Sequence, residues 1–171
     1  MSPAASTTSA TGASRAHGAT ASASVPPATR GEPVVGPRLP GGRPRPSLNQ
    51  DVAFFWEGAA EGRLLVQRCT ACGALRHPPG PSCPRCTALD WDAVPMSGRG
   101  TIYSWVRHHH PAIPPFEPGH PIVLVELEEG PRLVSELVDR DAEIRIGAPV
   151  EVQFDRVEER FTMPRFRLVR S

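Results

Sequence analysis

The amino-acid sequence predicts a mainly β protein that consists of an N-terminal helix, a cysteine ribbon and a small five-stranded barrel. Three observations predict this class. An aromatic segment lies between a helix-capping pattern and a glycine, two C-x-x-C pairs follow it, and apolar and polar residues alternate from residue 97 onward. Alternation with a period of two residues is typical of half-buried strands. The length of 171 residues suits one domain or two small ones.

Residues 1–46 are predicted to form a disordered leader, because Ala, Ser, Thr, Pro and Gly dominate this segment. Its five Arg against one Glu also fit an organelle transit peptide, but no amphipathic periodicity supports that alternative. The expected parts after the leader are the helix in residues 47–62, the ribbon in 63–96 and the barrel in 97–171. A cytoplasmic protein is expected, because the sequence shows neither a secretory signal nor an apolar run that could span a membrane.

The helix is expected over residues 51–61. Residues 47–50, Ser-Leu-Asn-Gln, form a capping-box pattern, and Gly62 suits a left-handed cap at the other end. This helix carries three consecutive aromatic residues, the aromatic triplet Phe54, Phe55 and Trp56. The triplet covers about 200° of the helix circumference, so a single packed face cannot hide all three rings. Either the helix is sandwiched between two layers, or one of its sides meets a partner chain.

Short β-rich runs are expected at residues 63–68 and 89–94, on either side of the cysteines. The barrel strands are predicted near residues 100–107, 122–128, 132–138, 150–157 and 166–170. Turn signals separate them at residues 129–131 and 146–149, and a short helical turn is expected at residues 141–144. Five strands of this length fit a Greek-key barrel of the OB type, although periodicity alone also allows an SH3-like barrel.

The cysteines give the strongest chemical signal. Cys69 and Cys72 form one C-x-x-C pair, Cys83 and Cys86 form another, and ten residues separate the pairs. Two such turns can present four thiolates to one Zn²⁺ ion, which binds sulfur tetrahedrally at about 2.3 Å. Gly73 directly follows the first pair, where a positive backbone φ is often required. The sequence therefore predicts a structural zinc site.

Redox chemistry through two disulfides is the alternative to zinc. A disulfide that closes a loop of four residues contributes about 2 kcal/mol, whereas a structural zinc ion contributes on the order of 10–16 kcal/mol. The cysteine segment holds few large apolar residues, and a reducing compartment opposes standing disulfides. Catalysis by the ion is not expected, because four thiolates leave no coordination position for water or substrate.

The sequence resembles a family of bacterial and archaeal proteins that join a rubredoxin-like zinc ribbon to an OB fold, known as domain of unknown function thirty-five. The resemblance covers residues 50–170. It rests on the segments Phe55–Gly58, Glu61–Leu64, Cys69–Gly73, Pro81–Cys86, Gly98–Ser104, Pro121–Gly130, Ile146–Val152 and Pro164–Arg167. The resemblance implies a non-catalytic partner of acyl-CoA enzymes, such as thiolases, sterol-carrier-type aldolases or hydratases, and a contribution of this partner to their acyl-CoA site.

The residues independently favour a binding module over an enzyme. No nucleophile elbow, phosphate loop or H-E-x-x-H pattern occurs, and no cysteine remains free once zinc is bound. We therefore expect no catalytic residue, and we expect the aromatic triplet to act as an anchor in a groove of the partner, as buried aromatics commonly do. The weakest alternative is an enzyme that uses the loop after His108, His109 and His110. For these histidines, a second metal site, support of a shared acyl-CoA site and a solvated loop all remain open.

Single-stranded nucleic-acid binding is the alternative function for an OB barrel. Tyr103 and Trp105 share one face of a strand beside Arg107, and OB folds stack bases on such aromatics within a basic groove. However, residues 47–171 carry a net charge of −3, and phosphate binding requires a positive field. The charge therefore disfavours nucleic acid as a partner. Arg76, Arg85 and Arg99 could meet coenzyme A phosphates, but the sequence does not define a coenzyme A site.

Overall fold

The computed structural model describes residues 38–46, 48–111, 114–159 and 161–169, all of them within one compact unit that spans residues 35–171. These residues contain one α-helix and eight strands, so the prediction of a mainly β protein is confirmed. The elements are α1 Ala53–Ala60, β1 Leu64–Cys69, β2 Leu75–Arg76, β3 Trp91–Met96, β4 Arg99–His108, β5 His120–Leu127, β6 Arg132–Glu136, β7 Pro149–Glu158 and β8 Phe161–Leu168. No helix of the described part is long and apolar enough to cross a membrane.

Helix α1 is shorter than predicted and is capped differently at its start. The backbone N–H of Val52 donates to Oδ1 of Asn49 at 3.2 Å, whereas Ser47 of the predicted capping box lies outside the described residues. At the other end Gly62 has a φ of +72°, as the sequence predicts. The N–H of Arg63 then bonds to the carbonyl of Gly58 at 2.8 Å, which closes the helix with a Schellman motif.

The barrel strands lie in the order β6-β5-β4-β7-β8, and all neighbouring pairs are antiparallel. A parallel bridge between Leu137 and Phe166 joins the two ends, and the N–H of Val138 donates to the carbonyl of Phe166 at 2.8 Å. The sheet thus closes through its third and fifth strands into a partly open Greek-key barrel, which is the OB arrangement. Its core contains Ile102, Val123, Val125, Leu127, Leu133, Leu137, Val150 and Phe166.

Two details of the barrel differ from the sequence prediction. Strand β8 starts at Phe161 rather than near residue 166, because Pro164 lies within it and pairs with Phe154. A proline is tolerated there because β8 is the last strand of the sheet. The predicted helical turn at residues 141–144 is wrong, since this segment forms only a turn and a bend. The Arg107 guanidinium instead binds the carbonyls of Arg140 and Ala142 at 2.7 and 3.1 Å.

The ribbon is a three-stranded antiparallel sheet in the order β2-β1-β3. Its long pair aligns Leu64 with Met96 and Cys69 with Trp91. Gln67, although polar, is buried in β1, where its Oε1 accepts hydrogen bonds from Arg76 at 2.6 Å and from the N–H of Gly80 at 2.9 Å. These bonds fix the loop after β2 onto the sheet, because a buried amide oxygen without partners would be costly.

Residues 38–46 pack on the barrel, although the sequence predicts a leader up to residue 46. Leu39 is buried, Arg43 forms an ion pair with Glu136, and Arg45 pairs with Glu158. Composition does not reveal this docking, because it depends on one leucine and two arginines that meet acidic residues distant in sequence. The remainder of the predicted leader, residues 1–37, lies outside the described residues.

Candidate metal centre

Two backbone turns of the same design hold the four cysteines. In the first, the N–H of Gly73 donates to the carbonyl of Cys69 at 2.9 Å. In the second, the N–H of Thr87 donates to the carbonyl of Cys83 at 2.8 Å. Gly73 and Thr87 both have a positive φ, of +71° and +60° respectively. The two C-x-x-C pairs are therefore equivalent knuckles.

The knuckles bring the four thiols together. The Sγ atoms of Cys69 and Cys86 are 3.6 Å apart, as are those of Cys72 and Cys83, and all four sulfurs lie within 4.8 Å of one another. A tetrahedral ion with four sulfur ligands at about 2.3 Å requires sulfurs about 3.8 Å apart. The arrangement therefore fits one tetrahedral ion, and the sequence prediction that these four residues form one group agrees with the geometry.

The thiols ionise unequally. The backbone N–H of Arg85 lowers the pKa of Cys83 to about 6, which favours its thiolate. At Cys86 the backbone N–H of Ala88 also lowers the pKa, but the neighbouring thiols outweigh it and raise the pKa to about 12. Negative charges that gather without a cation repel one another, so the last proton is held tightly. A divalent cation at the centre would remove this repulsion and allow all four thiolates to form.

The second knuckle has Thr87 in a left-handed backbone conformation, at the position where the first knuckle has Gly73. Thr87→Gly should stabilise the ion-loaded protein by about 0.5–1 kcal/mol, because relief of a left-handed conformation gives about 1–2 kcal/mol and exceeds the entropy cost of glycine. Gly73→Thr should change stability in the opposite direction. Urea unfolding of both variants measures the effect. If both substitutions changed the free energy of unfolding in the same direction, the prediction would be wrong.

The aromatic triplet is engaged in contacts within the chain. The Phe54 ring lies 5.0 Å from that of Trp91 in the ribbon, and the Trp56 ring lies 4.9 Å from that of Phe161 in the barrel. Phe55 is buried between them, 5.2 Å from the His77 ring. Helix α1 is thus sandwiched between two layers, the first of the two alternatives from the sequence. Only the half-buried edges of Phe54 and Trp56 remain for a partner, and their role as anchors stays a prediction.

The three consecutive histidines do not form a metal group. His108 ends β4 and its Nε2 lies 2.8 Å from the carbonyl oxygen of Pro111, whereas His109 and His110 are exposed. Among the described residues, the four cysteines are the sole group of three or more His, Cys, Asp or Glu side chains close enough to share an ion. For these three histidines, a solvated loop and support of a shared acyl-CoA site remain as the alternatives.

The face proposed for base stacking is partly occupied. Tyr103 and Trp105 are exposed on β4, but the Arg132 guanidinium lies 3.4 Å from the centre of the Tyr103 ring. Arg132 also forms an ion pair with Glu126 at 3.0 Å. Arg107, the expected neighbouring cation, donates its hydrogen bonds to backbone carbonyls. An acidic residue beside the aromatic face and an internally bound arginine disfavour phosphate binding there.

The structure contains a polar cluster that is absent from the sequence predictions. His120 and Glu136 lie on the neighbouring strands β5 and β6, beside an apolar cavity, and both are largely buried. The signal in the sequence was a glutamate within the apolar run Leu133–Leu137, where a strand position with one charged residue suggests a buried partner. Its partners Arg43 and Arg165 could not be assigned without the fold.

The comparisons with known proteins agree with this architecture. Residues 56–92 match the family described as "ChsH2, rubredoxin-like zinc ribbon domain", and residues 93–155 match "ChsH2, C-terminal OB-fold domain". A solved chain described as "Ltp2-ChsH2(DUF35) aldolase" is 48% identical, with a TM-score of 0.66, over 72% of this chain and 98% of that chain.

Two curated relatives show how the match extends along each protein. A "DUF35 domain-containing scaffold protein" of Methanocaldococcus jannaschii is 34% identical over 63% of this chain and 79% of its own length. A "Probable enoyl-CoA hydratase alpha subunit" of Thermomonospora curvata is 48% identical over 73% of this chain, but the match spans only 40% of that subunit.

The helix, the four-thiol ribbon and the partly open barrel define a zinc-ribbon and OB-fold protein, in which the ribbon and the barrel share one chain. More particularly, this chain belongs to the DUF35 family. The family resemblance inferred from the sequence motifs is thereby confirmed.

Proposed function

We propose that this chain is a non-catalytic accessory subunit that binds and supports an acyl-CoA-processing enzyme on a separate polypeptide. The observation that carries the proposal is its match to 98% of a DUF35 chain from a structure described as an aldolase, at 48% identity. The similarity to a hydratase alpha subunit and to a DUF35 scaffold protein supports the same role. The partner is accordingly an aldolase, a hydratase or a thiolase-like enzyme, and the chain contributes to its acyl-CoA site.

The metal of the ribbon is zinc in this proposal, and its role is structural. The four cysteines have nearly tetrahedral spacing. A tetrahedral set of four thiolates favours zinc over divalent ions that prefer oxygen ligands. Their closed shell leaves no position for a substrate, so the ion braces the ribbon rather than taking part in turnover. A cytoplasmic location belongs to the same proposal, because a reducing compartment keeps the thiols available to the ion.

Reconstitution with a purified candidate enzyme tests the proposal. The full chain, the enzyme and their mixture are compared by size-exclusion chromatography and by turnover of the enzyme's CoA thioester. We expect a stable complex, no turnover by the chain alone, and a more stable or more active enzyme in the mixture. Trp56→Ala, which removes a half-buried ring of the triplet, should weaken the complex, whereas Glu57→Ala on the exposed side of α1 should not.

Three outcomes contradict parts of the proposal separately. Turnover by the isolated chain would show that it is an enzyme. Retention of single-stranded DNA in a salt-dependent manner, without any protein complex, would favour the nucleic-acid alternative. A complex of unchanged affinity with Trp56→Ala would leave the accessory role intact but would exclude the aromatic triplet as its anchor.

A further inference from the structure

A cavity of about 530 Å³ lies beside helix α1, the turn at residues 77–79 and strands β5, β6 and β8. This volume is within the range of small-molecule sites, about 300–1,000 Å³. Its walls are mainly apolar and include Phe55, Trp56, Ile122, Leu133, Val134 and Met163. Nothing in the proposed accessory role assigns a ligand to it.

Three side chains in the cavity walls, His77, His120 and Glu136, have at least one polar atom without a hydrogen-bond partner among the described residues, and the last two lie close together. His120 is 5% exposed, and neither its Nδ1 nor its Nε2 has a partner. The same holds for Oε2 of Glu136. His120 Nε2 and Glu136 Oε2 are 3.6 Å apart, which is too long for a direct hydrogen bond. Buried polar atoms of this kind usually have a partner, so a third group is expected between them.

The charges around this pair already balance. Arg43 and Arg165 both form ion pairs with Glu136, Arg165 also pairs with Asp155, and Arg140 pairs with Glu117. His120 adds no charge near pH 7, because burial lowers its pKa from the ordinary value. The cavity therefore offers no spare cation for a carboxylate or a phosphate. A neutral group is favoured, because an unpaired ion in such a site would carry a large desolvation penalty.

A hydroxyl group can hydrogen-bond to both polar residues at once. It can accept a hydrogen bond from an N–H of the imidazole and donate its own hydrogen to the carboxylate oxygen. An ether oxygen could only accept, and a hydrocarbon would leave Oε2 of Glu136 and the His120 nitrogens without hydrogen bonds. We propose that the cavity is a binding site for an uncharged, mainly apolar alcohol whose hydroxyl lies between His120 and Glu136.

This site is independent of the proposed accessory function, since every wall belongs to the chain itself. The ion-loaded, full-length protein is therefore sufficient for the test. Octan-1-ol, methyl octyl ether and octanoate are titrated separately by isothermal calorimetry. The alcohol should bind at a single site, and the ether and the carboxylate should bind at least about ten-fold more weakly, because each leaves a buried polar group unsatisfied.

Substitutions separate the site from general hydrophobic adsorption. His120→Leu should lower the affinity for octan-1-ol at least about ten-fold, whereas His109→Leu, at an exposed histidine outside the cavity walls, should leave it unchanged. Val134→Trp is a second variant, because Val134 lines the cavity but is 66% exposed and can accept a larger side chain. It should abolish binding of the alcohol while circular dichroism shows an intact fold.

Several results would overturn the proposal. One is the absence of saturable binding by any probe, which would mean that water alone fills the gap between the two polar groups. Another is equal affinity for the alcohol, the ether and the carboxylate. If His120→Leu does not fold, unchanged binding by the folded Val134→Trp variant overturns the proposal as well.

Discussion

Replacement of Cys83 by serine should release the metal ion and unfold the tip of the ribbon. Cys83 is almost completely buried, and its sulfur lies 3.6 Å from that of Cys72. Serine cannot supply a thiolate at neutral pH, so one of the four ligands is lost. An intact structural zinc site contributes on the order of 10–16 kcal/mol. The tip of the ribbon, residues 70–90, has no other source of stability of that size.

The tip of the ribbon depends on the ion because the segment between β1 and β3 buries very little apolar surface. Between residues 70 and 90, Cys83 is the sole buried hydrophobic residue of the described chain. Backbone ordering costs about 1–2 kcal/mol per residue, and without buried apolar area only the ion can offset it. Loss of the ion therefore frees both knuckles at the same time, including the one that keeps its two cysteines.

Elemental analysis and amide hydrogen exchange measure this effect. The wild type should hold one zinc ion per chain, and Cys83→Ser should hold almost none. The amides of Gly73 and Thr87, which close the two knuckles, should lose their protection, while those of the barrel strands keep it. Ser82→Ala, at the exposed neighbouring residue, is the control. Full protection without any bound metal would contradict the prediction.

Phe55→Ala should destabilise the protein by about 3–5 kcal/mol, the usual cost of such a truncation in a core. The Phe55 ring is buried and belongs to the same apolar cluster as Leu64 of the ribbon and Phe166 of the barrel. Its removal therefore weakens the joint between the helix and both layers. Urea unfolding followed by circular dichroism gives the free energy of unfolding, with the ion present throughout.

Leu89→Ala provides the matched control for this truncation, because Leu89 is 68% exposed and should change stability by less than about 0.5 kcal/mol. A loss below about 1 kcal/mol for Phe55→Ala would refute the sandwiched position of the helix. The expected loss of stability also makes Phe55→Ala unsuitable for the partner-binding experiment. Reduced co-purification of Phe55→Ala could reflect a damaged fold, so Trp56→Ala is the variant that tests partner binding.

Features set by short stretches of sequence were predictable. The C-x-x-C pairs indicate their knuckles because each pair lies within one turn, and Gly62 marks the end of α1 because its positive φ is a local requirement. The barrel strands follow from alternation of apolar and polar residues. The Asp141–Ile144 segment differs from its prediction because Arg107, distant in sequence, binds the carbonyls of Arg140 and Ala142.

Features set by contacts between distant residues were not predictable. The sequence predicts that the rings of the aromatic triplet point to different sides of one helix. It does not predict which residues they contact, because these contacts depend on how both sheets pack on α1. The His120–Glu136 pair arises from the register of β5 and β6, in which Ile122 lies opposite Glu136. Periodicity identifies each strand but does not specify that register, so a buried polar pair remains invisible until the sheet is assembled.

The docked segment at residues 38–46 affects where this protein can be cut for further work. The matched family regions begin at residue 56, which lies inside helix α1. A shortened chain that started there would lose Leu39 and Phe55 from the interior, and Glu136 would keep its carboxylate without the Arg43 guanidinium. A shortened version of this protein should therefore retain residues 38–46, well upstream of the boundary that sequence similarity marks.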